Sequence, residues 1–397
     1  MKILFGILGF LWLSTGHAQI SIDTNFAGAN VIIDSISADT VYFRPDLKDT
    51  QGDWFYWNFR TISTQPKKWF FKATGPDDLT SKGAAYSRDG GYTWQWIDET
   101  DHDGNQLFSF TFLEPDQAVR FSMGQPYTQQ NLERFMQPYE GDPRLKIEKL
   151  ATTRKGRTAE KLLISNFDKK PEFKILFVAR AHACEMMSNF LLEGMIDAML
   201  SDTPKMQALL DKAEIIVIPF LDKDGVEDGD QGKNRIPRDH NRDYSGESLY
   251  ATTRALRKQV PDWVGNTPWV GIDLHNPWIK DAGHERIFLV GNANPDIEQE
   301  QLKFADILRS EQRGSLTFDT QQNFLRYGES WNTGSNYEQG WPFSKWASSF
   351  YGKGLLFTTT LEFPYAVNLG QTVTQENSRE FGGDLIYAIA EYLNEQE

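Results

Sequence analysis

The stretch Glu172–Leu200 reads EFKILFVARAHACEMMSNFLLEGMIDAML, and it decides the fold class. Its first part, Phe173-Lys174-Ile175-Leu176-Phe177-Val178, is an almost unbroken apolar run, as in a strand covered on both faces. Met186–Leu200 then reads as a helix. A second buried-type strand follows at Ala213–Phe220 and leads into a loop rich in glycine and aspartate. Further on, Leu249–Val260, Ile297–Arg309 and Glu376–Glu395 read as helices, and Trp269–Leu274, Ile287–Val290 and Leu355–Leu361 as strands. Strands alternating with helices predict an α/β domain, its sheet mixed but mainly parallel and flanked by helices.

Upstream the pattern is different. Trp54-Phe55-Tyr56-Trp57-Asn58-Phe59 is strongly β-prone, and Trp69-Phe70-Phe71 is a second candidate strand. Asp89-Gly90-Gly91 signals a tight turn between Ala84–Ser87 and Tyr92–Ile97. Leu107–Phe112 alternates with period two, putting Phe108, Phe110 and Phe112 on one face, and Ala118–Ser122 closes the series. Short strands at close spacing, with no convincing helix, predict an all-β sandwich of about 100 residues. The expected layout is a signal peptide at 1–18, a β-sandwich domain at 19–123 and the α/β domain at 124–397.

The signal peptide rests on Lys2, the apolar run Ile3–Trp12, and small residues at Gly16 and Ala18. Cleavage is expected after Ala18, with a periplasmic or secreted product. The run is shorter than the roughly 20 apolar residues of a membrane span, and no later segment reaches that length. Composition narrows the chemistry. The 397 residues carry 41 Lys plus Arg against 55 Asp plus Glu, a net charge of −14, which argues against general nucleic-acid binding. A single cysteine, Cys184, excludes disulfides within the chain and cysteine-rich zinc sites. Twelve Trp and 27 Phe call for large apolar faces or for surfaces that bind sugar or peptide.

What remains for a metal is histidine and carboxylate. His182-Ala183-Cys184-Glu185 places a histidine and a carboxylate three residues apart, just past a buried strand, where both can face one ion. A second strand ends in Asp273-Leu274-His275, and functional groups gather at the carboxyl ends of strands in open α/β sheets. His182, Glu185 and His275 would form a His₂Glu site with an open fourth position, as in catalytic zinc sites. A third strand ends in Glu362-Phe363-Pro364, a carboxylate suited to general-base work beside a metal. Between them, Gly232–Tyr244 carries Arg235, Arg238, Arg242 and Asn241, residue types that recognise a carboxylate and a developing oxyanion. Asp222-x-Asp224, Asp228-x-Asp230 and Asp101–Asn105 fail the EF-hand pattern, and the chain holds no P-loop, G-x-G-x-x-G or G-x-S-x-G.

In this order the motifs resemble the zinc metallocarboxypeptidases of the M14 type. His182-x-x-Glu185 is similar to that family's first metal motif, and His275 to its third ligand. Asn241-Arg242 resembles the pair that holds the substrate's terminal carboxylate, Arg235 the arginine that polarises the scissile carbonyl, and Glu362 the catalytic glutamate. The Trp54-Phe55-Tyr56 strand and Phe121–Thr128 resemble the cytosolic-carboxypeptidase branch, which has a β-sandwich before its catalytic domain. The resemblance implies a carboxypeptidase-like fold and one Zn²⁺ per chain. It also implies a peptide substrate with a free C-terminal carboxylate, cleaved by a metal-activated water. Tyr327, Tyr337 and Tyr351 are the candidates for the tyrosine that closes over that carboxylate. Arg326, Lys345 and Lys353 could favour an acidic terminal residue, or could simply be surface charges. Cys184 interrupts the metal motif, and His240 stands where an apolar residue is expected; for both, packing is the plainer reading. Peptidoglycan stem peptides and N-acyl amino acids remain alternative substrates, and a glycan- or peptide-binding protein is the non-enzyme alternative. The oligomeric state is left open.

Overall fold

The computed structural model describes residues 19–396, so the signal peptide expected at 1–18 lies outside the described residues. The N-terminal part contains two small sheets. Strands Ile32–Ser37, Thr40–Arg44, Lys67–Ala73 and Leu107–Phe112 form one, and Ile20–Asp23, Asn58–Ser63, Gln117–Ser122, Ala85–Ser87 and Gln95–Trp96 the other. Aromatic rings from both meet between them. Phe43 lies 4.8 Å from Trp57, and Phe71 lies 4.8 Å from Phe108 and 4.9 Å from Phe121. This is where the unusual phenylalanine content goes, since stacked and edge-on rings bury much area with few polar atoms.

The expected Trp54–Phe59 strand is shorter than its composition suggests, because strand pairing begins at Asn58, opposite Ser122. The residues before it serve two cores at once. Trp57 enters the sandwich, while Phe55 packs on Trp278 and Tyr365 of the α/β part. The backbone of Tyr56 is satisfied by the Gln231 side chain, which accepts from its N–H and donates to its carbonyl, both at 2.8 Å.

The α/β part is built on an eight-stranded mixed sheet. Its centre is parallel and runs Ala213–Ile218, Phe173–Ala179, Trp269–His275, Leu355–Glu362. One flank is extended by the antiparallel hairpin Leu145–Thr152 and Thr158–Ile164, which the sequence pattern did not reveal. The other is extended by Phe288–Val290, antiparallel to its neighbour, and Phe324–Leu325. Register brings the carboxyl ends level, with Ala179 opposite Leu274 and His275 opposite Glu362. Among the described residues no helix is long and apolar enough to cross a membrane.

Helix Met187–Met199 starts just after Glu185 and packs on Gln375–Asn394. The two meet backbone to backbone. A Cβ on Gly194 would stand 1.9 Å from the Arg379 carbonyl oxygen, and one on Gly382 would stand 2.1 Å from that of Leu191.

Candidate active site

After the Phe173–Ala179 strand, the chain turns at Arg180, whose φ of +57° is left-handed. That conformation costs a non-glycine residue roughly 1–2 kcal/mol, so something must hold it. The buried guanidinium does so, donating to the carbonyl of Ala183, the carbonyl of Tyr127 at 3.0 Å and Asn189 Oδ1 at 2.7 Å. The braced turn presents His182 and Glu185.

His182, Glu185 and His275 offer ligand atoms that all lie within 4.8 Å of one another. His182 Nδ1 is 2.8 Å from Glu185 Oε1, and His275 Nδ1 is 2.7 Å from Glu185 Oε2. The second approach is not aligned as a hydrogen bond, and Glu185 Oε2 is otherwise a buried acceptor without a donor. Each ring turns its other nitrogen to an aspartate. His275 Nε2 is 3.0 Å from Asp273 Oδ2, and His182 Nε2 is 3.8 Å from Asp239 Oδ2. Two imidazoles that aim Nδ1 inward, with an aspartate near each Nε2 though not aligned as a hydrogen bond, have the donor set of a zinc site. The residues therefore fit the ion.

The electrostatics follow from burial and close charges. Burial alone would push the His275 ring down, but Asp273 and Glu185 hold it well above the usual histidine range. Burial would raise Glu185, yet His182, Lys233 and His275 hold its carboxyl well below the usual value. His182 is lowered by burial. Glu362 is pushed up to about 7 by burial, and its Oε2 has no hydrogen-bond partner.

These groups open into a cavity of about 280 Å³. His182, Glu185, His275 and Glu362 line it together with Asn241 and Arg242, so six of the seven expected site residues meet around one space. Arg242 Nη2 donates to Asn336 Oδ1 at 2.8 Å, and Asn241 Oδ1 has no partner. Of the three candidate tyrosines, Tyr337 lines the cavity. Tyr351 instead donates to Asp296 Oδ2 at 2.9 Å. None of Arg326, Lys345 or Lys353 is among the lining residues.

Arg235 is the exception. Instead of facing the scissile bond, its guanidinium is bound by Asp222, by Asp230 at 2.8 Å and by Asp49 at 3.0 Å, and it lines a separate cavity of about 380 Å³. The acidic residues that the sequence grouped as a failed calcium loop are what neutralise it. The cation beside the ligands is Lys233, whose Nζ is 2.6 Å from Glu185 Oε1. Sequence reasoning missed it because a lysine in a polar loop carries no signal of its own. Asp273 was given no role either, although residues two apart on a strand share a face and its spacing from His275 was the signal that could have found it. Cys184 is buried with Sγ 3.9 Å from the Tyr365 hydroxyl, and burial pushes its thiol up to about 12. His240 stacks on Tyr250 with ring centres 3.6 Å apart.

Comparison with known proteins points the same way. The sequence model for "Zinc carboxypeptidase" matches residues 132–344. Cytosolic carboxypeptidase 2 of Xenopus tropicalis is 29% identical over 180 residues, 42% of this chain and 19% of that protein. Cytosolic carboxypeptidase 6 of Caenorhabditis elegans is 22% identical over 344 residues, 79% of this chain and 73% of that protein. The chain spans about a fifth of the length of the first two curated relatives it matches. In fold it is similar to a metallo-carboxypeptidase from Burkholderia cenocepacia, with a TM-score of 0.77 and 18% identity, covering 96% of this chain and 100% of that one. The match at 132–344 ends before Glu362, so the placing of that residue rests on the sheet register and the shared cavity.

Proposed function

This chain belongs to the zinc carboxypeptidase family, and we propose that it hydrolyses the last peptide bond of peptides that end in a free carboxylate. The observation that carries this reading is the convergence of His182, Glu185 and His275 with Glu362 and the Asn241-Arg242 pair around one cavity. His182, Glu185 and His275 would hold one Zn²⁺. When bound, the ion supplies a Lewis acid that makes a nucleophile of water near neutral pH.

The chain's own groups do the rest. Arg242 and Asn241 bind the terminal carboxylate by charge-assisted hydrogen bonds, which confines cleavage to the end of the peptide. The Arg242 guanidinium is still only partly engaged, by Asn336 and by the Asn241 carbonyl. Glu362 takes a proton from the attacking water and returns it to the leaving amine; a buried carboxyl near 7 suits both transfers. Asp239 and Asp273 keep the imidazoles oriented.

The cations proposed from sequence to select an acidic terminal residue do not line the cavity, whose wall includes Val290, Trp331 and Thr360. We therefore expect uncharged terminal side chains to be preferred. Metal analysis combined with a panel of N-blocked peptides of varied C-terminal residue tests the reading. One equivalent of zinc, with release of a free amino acid from acids but not from the matching amides, supports it. Zinc without peptide turnover would move the reading to N-acyl amino acids or peptidoglycan stem peptides. We further propose export with cleavage after Ala18, for which N-terminal sequencing of the exported protein should begin at Gln19.

A further inference from the structure

We propose that Lys233 is the electrophilic cation of this site, donating from Nζ to the scissile carbonyl oxygen as it becomes an oxyanion. The inference rests on the carboxypeptidase reading above.

Three observations lead to it. First, among the described residues lining the catalytic cavity, Lys233 and Arg242 are the two permanent cations, and the reading above assigns Arg242 to the terminal carboxylate. Arg235, expected in this role from sequence, is saturated by three aspartates and lines the other cavity. Second, the Lys233 side chain is 11% exposed, with Nζ at 2.6 Å from Glu185 Oε1 and 4.9 Å from the centre of the Trp54 ring. The ammonium thus stands beside the side chains that would hold the ion, on the wall of the cavity that a scissile carbonyl would enter. Third, the backbone that leads into Lys233 is fixed. Cys184 N–H donates to the Gln231 carbonyl at 3.0 Å, and the Gln231 side chain clasps Tyr56. Gly232, at φ +76°, lies so close to the metal loop that a Cβ there would stand 2.2 Å from Ala183 N. The lysine is thus set beside Glu185 by packing, in place before substrate arrives, which is what makes an oxyanion donor effective.

In the step, a bond forms between the water oxygen and the carbonyl carbon. The carbonyl π pair moves onto oxygen and the water's proton goes to Glu362. Lys233 donates a hydrogen bond to that oxygen and keeps its proton. Collapse breaks the C–N bond as Glu362 protonates the amine.

The test compares wild type with Lys233→Met and Lys233→Arg. Zinc content, kcat and KM on a blocked peptide, and calorimetric affinity for a phosphinate peptide analogue and for a plain carboxylate product are measured. The expected result for Lys233→Met is full zinc, KM within about threefold and kcat lower by about 10²–10³-fold. Phosphinate affinity should fall by a similar factor with product affinity unchanged, and Lys233→Arg should recover part of both losses. Loss of zinc in Lys233→Met, a rise in KM at constant kcat, or equal loss of phosphinate and product affinity would each overturn the assignment and leave Lys233 as a charge partner of Glu185. Zinc-loaded wild type that cleaves no peptide overturns the parent reading, a failure visible before any variant is made.

Discussion

Two cavities share the segment from Asp222 to Arg242. In the cavity lined by Arg235, charges are matched. Arg235 meets Asp222, Asp230 and Asp49, while nearby Arg157 meets Asp224 and Asp228 at 2.9 and 2.7 Å. One lining side chain there, His240, has a buried nitrogen without a hydrogen bond. In the other cavity Glu185, Glu362, Asn241, Asn276 and Asn332 all hold buried polar atoms without aligned partners. An unpaired buried polar atom costs about 1–3 kcal/mol, so such a cluster persists where it is completed by something that binds. The polar groups of the larger cavity are tied to one another, and those of the smaller one keep free hydrogen-bonding capacity. Larger volume and more charge do not mark the candidate active site; the convergence of His182, Glu185 and His275 with Glu362 does.

The largest expected effect comes from closing the open side. Glu362→Gln should lower kcat by about 10²–10⁴-fold, because the amide cannot accept the proton. Zinc content should stay at the wild-type level. Near-normal turnover would remove Glu362 from the chemistry and undo the division between the cavities.

Arg235→Met attacks the matched side. It strands the buried Asp222, while Asp230 keeps Lys48 at 3.0 Å, and should cost roughly 3–5 kcal/mol of unfolding free energy, read by denaturant titration; the half-exposed Asp49 adds little. Activity per folded, zinc-loaded molecule should be unchanged. A large fall in kcat without loss of stability would restore Arg235 to the role its sequence position suggested. Arg242→Ala comes next. It should raise KM for a free-acid peptide by about 10²-fold, the effect of losing a charge-assisted clamp, with kcat much less affected.

Why the sequence led to Arg235 and not to Lys233 is a physical matter. The α/β core was legible because apolar runs such as Phe173–Val178 are covered on both faces. The meeting of His182, Glu185 and His275 with Glu362 was legible because strand ends converge wherever such a sheet forms. The hairpin Leu145–Thr152 and Thr158–Ile164 was not, since its outer strand is largely exposed and mostly lacks an apolar face. Loop side chains are harder still. Two cations two residues apart look alike in sequence, and their different placement is set by Asp222, Asp230 and the distant Asp49 around Arg235 and by the contact of Gly232 with Ala183. That information lies in tertiary packing.

The smallest expected effect concerns the one unpartnered atom of the matched cavity. Burial holds His240 neutral, with its pKa pushed down to about 3, and its Nδ1 is 3.7 Å from Asp222 Oδ1 without a hydrogen bond. Facing it are Asp222 and Arg235 of the network, Asp239 and Asp243 beside it in the chain, and the stacked ring of Tyr250. In the unfolded chain the same ring titrates near 6.5. Above that pH both states are neutral and the residue contributes no pH dependence. As pH falls from 6.5 toward 3, the unfolded chain binds a proton that the fold cannot, so stability is lost by up to about 1.4 kcal/mol per pH unit. Buried acids with raised values act in the opposite sense: Asp78, at about 6, is protonated in the fold first and favours it as pH drops. The difference between proteins isolates the histidine. His240→Phe keeps the stack on Tyr250, and its stability should fall less steeply than wild type between pH 6.5 and 5, by about 1.6 kcal/mol over that interval. Parallel curves for the two proteins would mean that His240 is charged in the fold. The matched cavity would then be holding one more cation than its pairing pattern accounts for.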